Sequence, residues 1–147
     1  MTNSHHDRQI QRRLTDAGSR YTPGRRMLVG VLADGSGPRS VAELAEALEG
    51  AVPVSSLYRS LAVLDEAGVV VQHFGPGGMT RYELAEWLTG HHHHAVCTEC
   101  GSVEDIELGE SAEASLDGML VGLSRSTGWD LTGHSLEVEG VCRTCRS

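Results

Sequence analysis

The stretch His91-His92-His93-His94-Ala95-Val96-Cys97-Thr98-Glu99-Cys100-Gly101 decides how this chain is read. Four imidazoles stand three residues before a CxxC pair, in a region of β propensity. Side chains on a strand point alternately to opposite faces, so His91 and His93 serve one site and His92 and His94 another. Four consecutive histidines are therefore two half-sites. An expression tag does not fall inside a chain beside a CxxC. The second CxxC, Cys142-Arg143-Thr144-Cys145, follows at the far end. Two such pairs complete a tetrahedral all-sulfur site for structural zinc, held by Cys97, Cys100, Cys142 and Cys145. All four positions are then filled by protein, so this ion is structural and not catalytic. Imidazole with carboxylate suits zinc, iron or manganese. The groups available to complete the histidine half-sites are His73, Glu83, Glu86, Asp105, Glu110, Glu113 and His134.

Outward from this stretch the composition is uneven. The 147 residues carry 12 basic and 20 acidic side chains, a formal charge of -8. Nine Arg and nine acids cancel over residues 1–84, so the whole excess lies in residues 85–147. Residues 1–30 hold six Arg against Asp7 and Asp16 alone. Net acidity thus does not count against a nucleic-acid partner, because the acids belong to the half with the metal-binding residues. No apolar run approaches the roughly 18 residues of a membrane span. The opening MTNSHHDRQI has no apolar signal-peptide core, which points to the cytoplasm and to reduced cysteines.

The first half patterns as helices followed by a hairpin. Asp7 caps a helix through Ile10 and Leu14 to Gly18. Thr22-Pro23 opens a second helix with Met27, Leu28, Val31 and Leu32 as its apolar stripe. Ser40-Val41-Ala42-Glu43 is a capping box. After Pro53, Leu57, Leu61 and Leu64 line an amphipathic helix closed by Gly68. Val69–Phe74, a Gly75–Gly78 turn and Met79–Leu84 form two strands. Helices followed by a hairpin are the outline of a winged helix-turn-helix over 1–84. The helix carrying Ser55, Ser56, Tyr58 and Arg59 is the one placed to enter a major groove. Tyr58 also fits a half-buried packing role.

These motifs, in this order, resemble those of the Fur superfamily of metal-dependent bacterial repressors. Arg20-Tyr-Thr-Pro-Gly-Arg25 is similar to its R-x-T-P-x-R segment, Ser56-Leu-Tyr-Arg-Ser-Leu61 to its recognition-helix motif, and Arg81-Tyr-Glu-Leu84 to its second wing strand. His91–Gly101 and Gly133-His134-Ser-Leu-Glu137 through Cys145 are similar to its metal-binding half. The resemblance implies an α+β fold class: an N-terminal winged helix-turn-helix domain over 1–84, a hinge over 85–90, and a small C-terminal α/β dimerisation domain over 91–147 with a four-cysteine zinc site. It implies a homodimeric, non-enzymatic repressor that binds operator double-stranded DNA through Arg20, Arg25, Ser55, Ser56, Tyr58 and Arg59. It implies a regulatory divalent metal on His73, Glu83, His92 and His94, with Asp105 where some members add a carboxylate. A third site would use His91, His93, His134 and Glu113, which stands one residue past the commonest position, Ala112. Two departures bear on the metal: the loop Gly37–Ser40 lacks a histidine and Thr80–Gly90 lacks a cysteine. Zinc is favoured over iron or manganese. A zinc hydrolase would need an open coordination position, and no HExxH is present. A CxxC redox enzyme would need free reactive thiols.

Overall fold

The computed structural model describes residues 4–147. The first unit opens with α1 (Ser4–Asp16), α2 (Pro23–Ala33), α3 (Val41–Ala47) and α4 (Val54–Glu66). Strands β1 (Val70–Phe74) and β2 (Thr80–Leu84) follow, joined by a single 3-10 turn over Pro76–Gly78. Helix starts follow the sequence signals. The Thr22 side chain accepts the Arg25 N–H with Pro23 at the first helical position, and Ser40 and Glu43 complete a reciprocal capping box. Asp7 does not cap α1. It lies within the first turn, where its carboxylate accepts the Tyr21 hydroxyl at 3.2 Å. The α2 stripe is also shifted: Leu28, Val29 and Leu32 are buried, whereas Met27 is 45% exposed.

Strands β1 and β2 pair antiparallel with Val71 opposite Glu83 and His73 opposite Arg81. His73 and Glu83 thus share one face as diagonal neighbours. Arg39 adds an antiparallel bridge to Tyr82, giving the hairpin a third backbone partner. The apolar core contains Ile10, Leu14, Leu28, Leu44, Leu57, Leu61, Leu64, Val69, Val70 and Leu84, and among the described residues it takes no buried member beyond Leu84.

Residues 85–90, expected as a hinge, hold the one-turn helix α5 (Glu86–Thr89). Trp87 fixes it to the first unit, donating its indole N–H to the Gly68 carbonyl at 2.8 Å with the Arg13 guanidinium 4.4 Å above its ring. The second unit contains β3 (His93–Cys97), β4 (Val103–Ile106), α6 (Glu110–Thr127), β5 (Glu137–Gly140) and the short α7 (Arg143–Arg146). Its sheet has the order β4-β3-β5, antiparallel on one side and parallel on the other. Among the described residues α6 buries none of its own, and Met119, Val121, Leu123 and the following Trp129 are exposed. No helix among the described residues is long and apolar enough to cross a membrane.

One polar contact holds the capping box to the hairpin. Arg81, only 5% exposed, donates to Glu43 Oε2 at 2.6 Å and to the Pro38 carbonyl at 3.3 Å. Burial would raise the Glu43 carboxyl, but the Ser40 N–H and the Arg81 charge outweigh it and hold it below its ordinary range. Glu43→Ala removes a cap and strips a buried guanidinium of its counter-charge. It is expected to lower unfolding free energy by about 1–3 kcal/mol in denaturant melts. Glu43→Gln should lose less.

Candidate metal centres

The strand pleat sorts the four histidines as their alternation predicts, although only His93 and His94 lie within β3 and His91 and His92 precede it. His92 and His94 face the hairpin of the first unit, and His91 and His93 face α6.

The first cluster joins the two units. Glu83 Oε2 lies 3.1 Å from Nε2 of both His92 and His94. Asp105 Oδ1 lies 3.7 and 3.5 Å from the same nitrogens. Asp105 arrives there because β4 pairs it directly opposite His94. One donor atom from each of Glu83, His92, His94 and Asp105 falls within 4.8 Å of the others. An ion with bonds of about 2.1 Å has ligand–ligand edges of roughly 3.0–3.4 Å, so the cluster has the dimensions of a coordination shell. His73 sits against it, with Nε2 2.5 Å from the other Glu83 oxygen and its ring 4.6 Å from that of His94. His92 Nδ1 lies 2.9 Å from the Gly90 carbonyl, to which it donates, so Nε2 is the nitrogen turned toward the cluster.

The electrostatics suit a cation. Burial would raise Glu83, but hydrogen bonds from His73, His94 and His92 hold its carboxyl well below the usual range. Burial would lower His92, but the Gly90 carbonyl and Glu83 outweigh it and raise it. Asp105 is raised, chiefly by burial.

The second cluster is His91, His93, Glu113 and His134. Glu113 Oε1 is 2.7 Å from His93 Nε2, and its other oxygen is 3.6 and 3.4 Å from Nε2 of His91 and His134. The helix phase of α6 therefore brings Glu113 to the cluster despite its one-residue offset. Glu86 faces this side and not the interunit cluster: its carboxylate accepts His91 Nδ1–H at 2.5 Å and orients that ring.

The third cluster is Cys97, Cys100, Cys142 and Cys145. Parallel pairing of β3 with β5 places Cys97 opposite Gly140, and Thr98 N–H donates to the Gly140 carbonyl at 2.8 Å. Cys100 Sγ and Cys142 Sγ are 3.8 Å apart. Four thiolates at about 2.3 Å from a tetrahedral zinc have edges of about 3.8 Å, so the spacing fits that ion. The N–H groups of Cys100 and Cys142 point at Cys97 Sγ from 3.5 and 3.3 Å and bring that thiol down to about 6. Cys145 is pushed up to about 12, first by the Cys142 sulfur and then by that of Cys100. The sulfurs thus share protons that a divalent cation would displace.

The helix-turn-helix face is open. On α4, Tyr58 is 54% exposed, Ser55 and Arg59 are exposed and Ser56 is half-buried, while Leu57, Leu61 and Leu64 turn inward. Arg20 is exposed. Arg25 is not free in the same way: it is half-buried and donates to the Arg20 carbonyl at 2.5 Å, bracing the turn before α2.

Sequence reading missed the joint between the units. The Asp105 N–H donates to the Ser36 carbonyl at 2.9 Å, and a methyl group on Gly37 would lie 2.5 Å from the Val103 carbonyl oxygen. The loop between α2 and α3 therefore lies directly on β4, beside the first cluster. No spacing rule marks such a contact, because it is made by backbone atoms.

A winged helix coupled to a histidine- and cysteine-rich α/β unit defines a metal-responsive DNA-binding regulator. The chain belongs to the ferric uptake regulator family, whose model matches residues 16–139. It is 31% identical over 143 residues to a ferric uptake regulation protein of Bacillus subtilis, covering 93% of this chain and 92% of that one. It is 28% identical over 145 residues to the peroxide operon regulator of the same organism, covering 97% and 94%. The crystal structure of the Vibrio cholerae ferric uptake regulator superimposes with a TM-score of 0.69 at 29% identity, over 90% of this chain and 98% of that one.

Protons and metal compete for the same rings. In the metal-free chain the raised His92 contributes stability below the free-imidazole value of about 6.5, lost as pH rises through its folded value. Depressed Glu83 acts oppositely, contributing above about 4.3 and losing it as pH falls through its folded value. Above the His92 range the ring is neutral and Glu83 is ionised, the state a metal needs. Metal affinity of the first cluster should rise by up to about tenfold per pH unit until pH passes the folded His92 value, above the ordinary imidazole value of about 6.5, and then flatten. A flat profile in metal-buffered titrations would remove His92 from the ligand set.

Proposed function

We propose that this chain is a homodimeric repressor that binds operator double-stranded DNA when a divalent metal occupies the Glu83–His92–His94–Asp105 cluster. One observation carries the reading: the donors come from both units, Glu83 from the wing and the others from the metal-binding half. An ion there ties the units together and selects one arrangement of them, which is how ligation at one place sets binding at another. The contact of Ser36 and Gly37 with β4 gives the route, since the loop that touches the strand of Asp105 leads straight into α3. Tyr58, Ser55, Ser56 and Arg59 read the major groove, Arg20 contacts phosphate, and Arg25 shapes the turn beside it. The exposed apolar side chains of α6 and the unpaired outer edge of β5 are the surfaces a second copy would cover. The protein is a binding protein of the cytoplasm and not an enzyme.

Zinc is the ion assigned to the four sulfurs, where it closes a unit with little apolar core of its own. Zinc is also the first reading for the interunit cluster, as four donors with His73 holding Glu83 from outside. Iron or manganese is the second reading, favoured by His73 itself. Should His73 enter the shell, five nitrogen and oxygen donors without a thiolate suit an ion of higher coordination number. DNA binding measured against buffered free zinc, iron, manganese and nickel separates these readings.

His92→Ala should abolish the metal dependence of operator binding while leaving the four-sulfur zinc in place. Tyr58→Ala should weaken binding at every metal concentration by roughly tenfold or more, as loss of a base-reading contact does. Metal-dependent repression surviving in His92→Ala would sink the placement of the regulatory site. Gly37→Ala should weaken metal affinity and operator affinity together, because the methyl meets the Val103 carbonyl oxygen and the Asp105 backbone nitrogen of β4, while folding of the first unit is unchanged. Calorimetry and gel-shift titration on the same protein read both quantities.

A further inference from the structure

The inward stripe of α1 runs His6, Ile10, Leu14, each one helical turn apart. Ile10 and Leu14 are fully buried in the first core. The third position of this stripe is an imidazole, where an apolar side chain would complete the packing. His6 is half-buried and lines a cleft of about 340 Å³ between the units. Glu83 and Asp105, the two carboxylates of the interunit cluster, line the same cleft, as do Gly35 and Gly37. His6 is the one histidine lining it among the described residues.

We propose that His6 is a further nitrogen donor to the interunit metal, supplied by α1 from the cleft side of Glu83 and Asp105. The proposal rests on the reading of Glu83, His92, His94 and Asp105 as a metal site. It does not depend on which ion fills it. The protein's side of the chemistry is favourable. The cleft holds two carboxylates, and neutral imidazole is the ligand that adds affinity without adding charge. Ile10 and Leu14 hold the helix, and Asp7 holds it again through Tyr21, so the ring is delivered by a rigid element. The functional gain is a further anchor. The ion would bind not only the wing and β3 but also the first helix, and α1 would tighten on metal binding.

The test uses the full-length protein carrying His134→Ala with zinc on the four sulfurs alone, so that cobalt(II) enters the interunit cluster and not the neighbouring histidine cluster. His6→Ala and His6→Gln are compared with their parent. The expected result is an affinity for cobalt at least tenfold weaker, a changed d–d absorption band, and loss of the metal-induced protection of α1 from amide exchange. Unchanged affinity and an unchanged band overturn the proposal. So does weaker affinity with an unchanged band, which would mean that His6 acts on the helix and not on the ion. Both substitutions leave Ile10 and Leu14 in place, and a circular dichroism melt checks that the first unit is intact. His92→Ala in the same series separates the two levels of the argument. If it binds cobalt as the parent does, the cluster reading fails. If only it loses cobalt, His6 alone is wrongly assigned.

Discussion

The pleat of one strand governs the second half of the molecule. Because neighbouring side chains on an extended backbone face opposite ways, His91 to His94 cannot converge on a single ion. They are divided, two toward the wing and two toward α6, and every other donor is placed by the element that meets one of those faces. Asp105 comes from the strand opposite His94, Glu83 from the hairpin across the joint, Glu113 from the helix on the other side. A slip of one residue in the β3 register would exchange the two histidine pairs between the wing side and the α6 side.

The two halves solve the problem of staying folded differently. The first buries a continuous apolar core of leucine, isoleucine and valine. The second buries little beyond Val96, Cys97, Val103 and two histidines, and keeps its longest helix clear of the core. A unit of some 55 residues with so small an interior ordinarily needs metals or partners to hold its shape. The grouping of donors is thus the counterpart of the missing hydrophobic contacts.

Much of the architecture is legible because it depends on local patterns. Thr22-Pro23, the Ser40–Glu43 box and the Leu57–Leu61–Leu64 spacing state their helices outright, and the structure builds each of them. The grouping of His91 with His93 and of His92 with His94 follows from strand alternation and needs no fold knowledge. Other features depend on partners distant in sequence. Glu113 is settled by where α6 lies over β3, not by its spacing. Met27 lies outside its predicted stripe because Val29 takes the inward position. Residues 85–90 look like a connector, yet Trp87 finds the Gly68 carbonyl and docks them as a helix. The Ser36 contact with Asp105 is invisible in the sequence because the chemistry is in the main chain.

The parallel pairing of β5 beside β3 has a consequence for how the protein is made. A parallel neighbour cannot be reached by a tight turn, so the chain leaves through β4 and α6 and returns only at its end. Cys97 and Cys100 emerge from the ribosome more than forty residues before Cys142 and Cys145. The winged helix is complete and able to fold well before then, built from contacts closed by Leu84. The sulfur cluster therefore closes later in synthesis than the core of the first unit. A chain interrupted before Cys142 would carry a complete first core beside two unmatched thiols, a defect open to quality control.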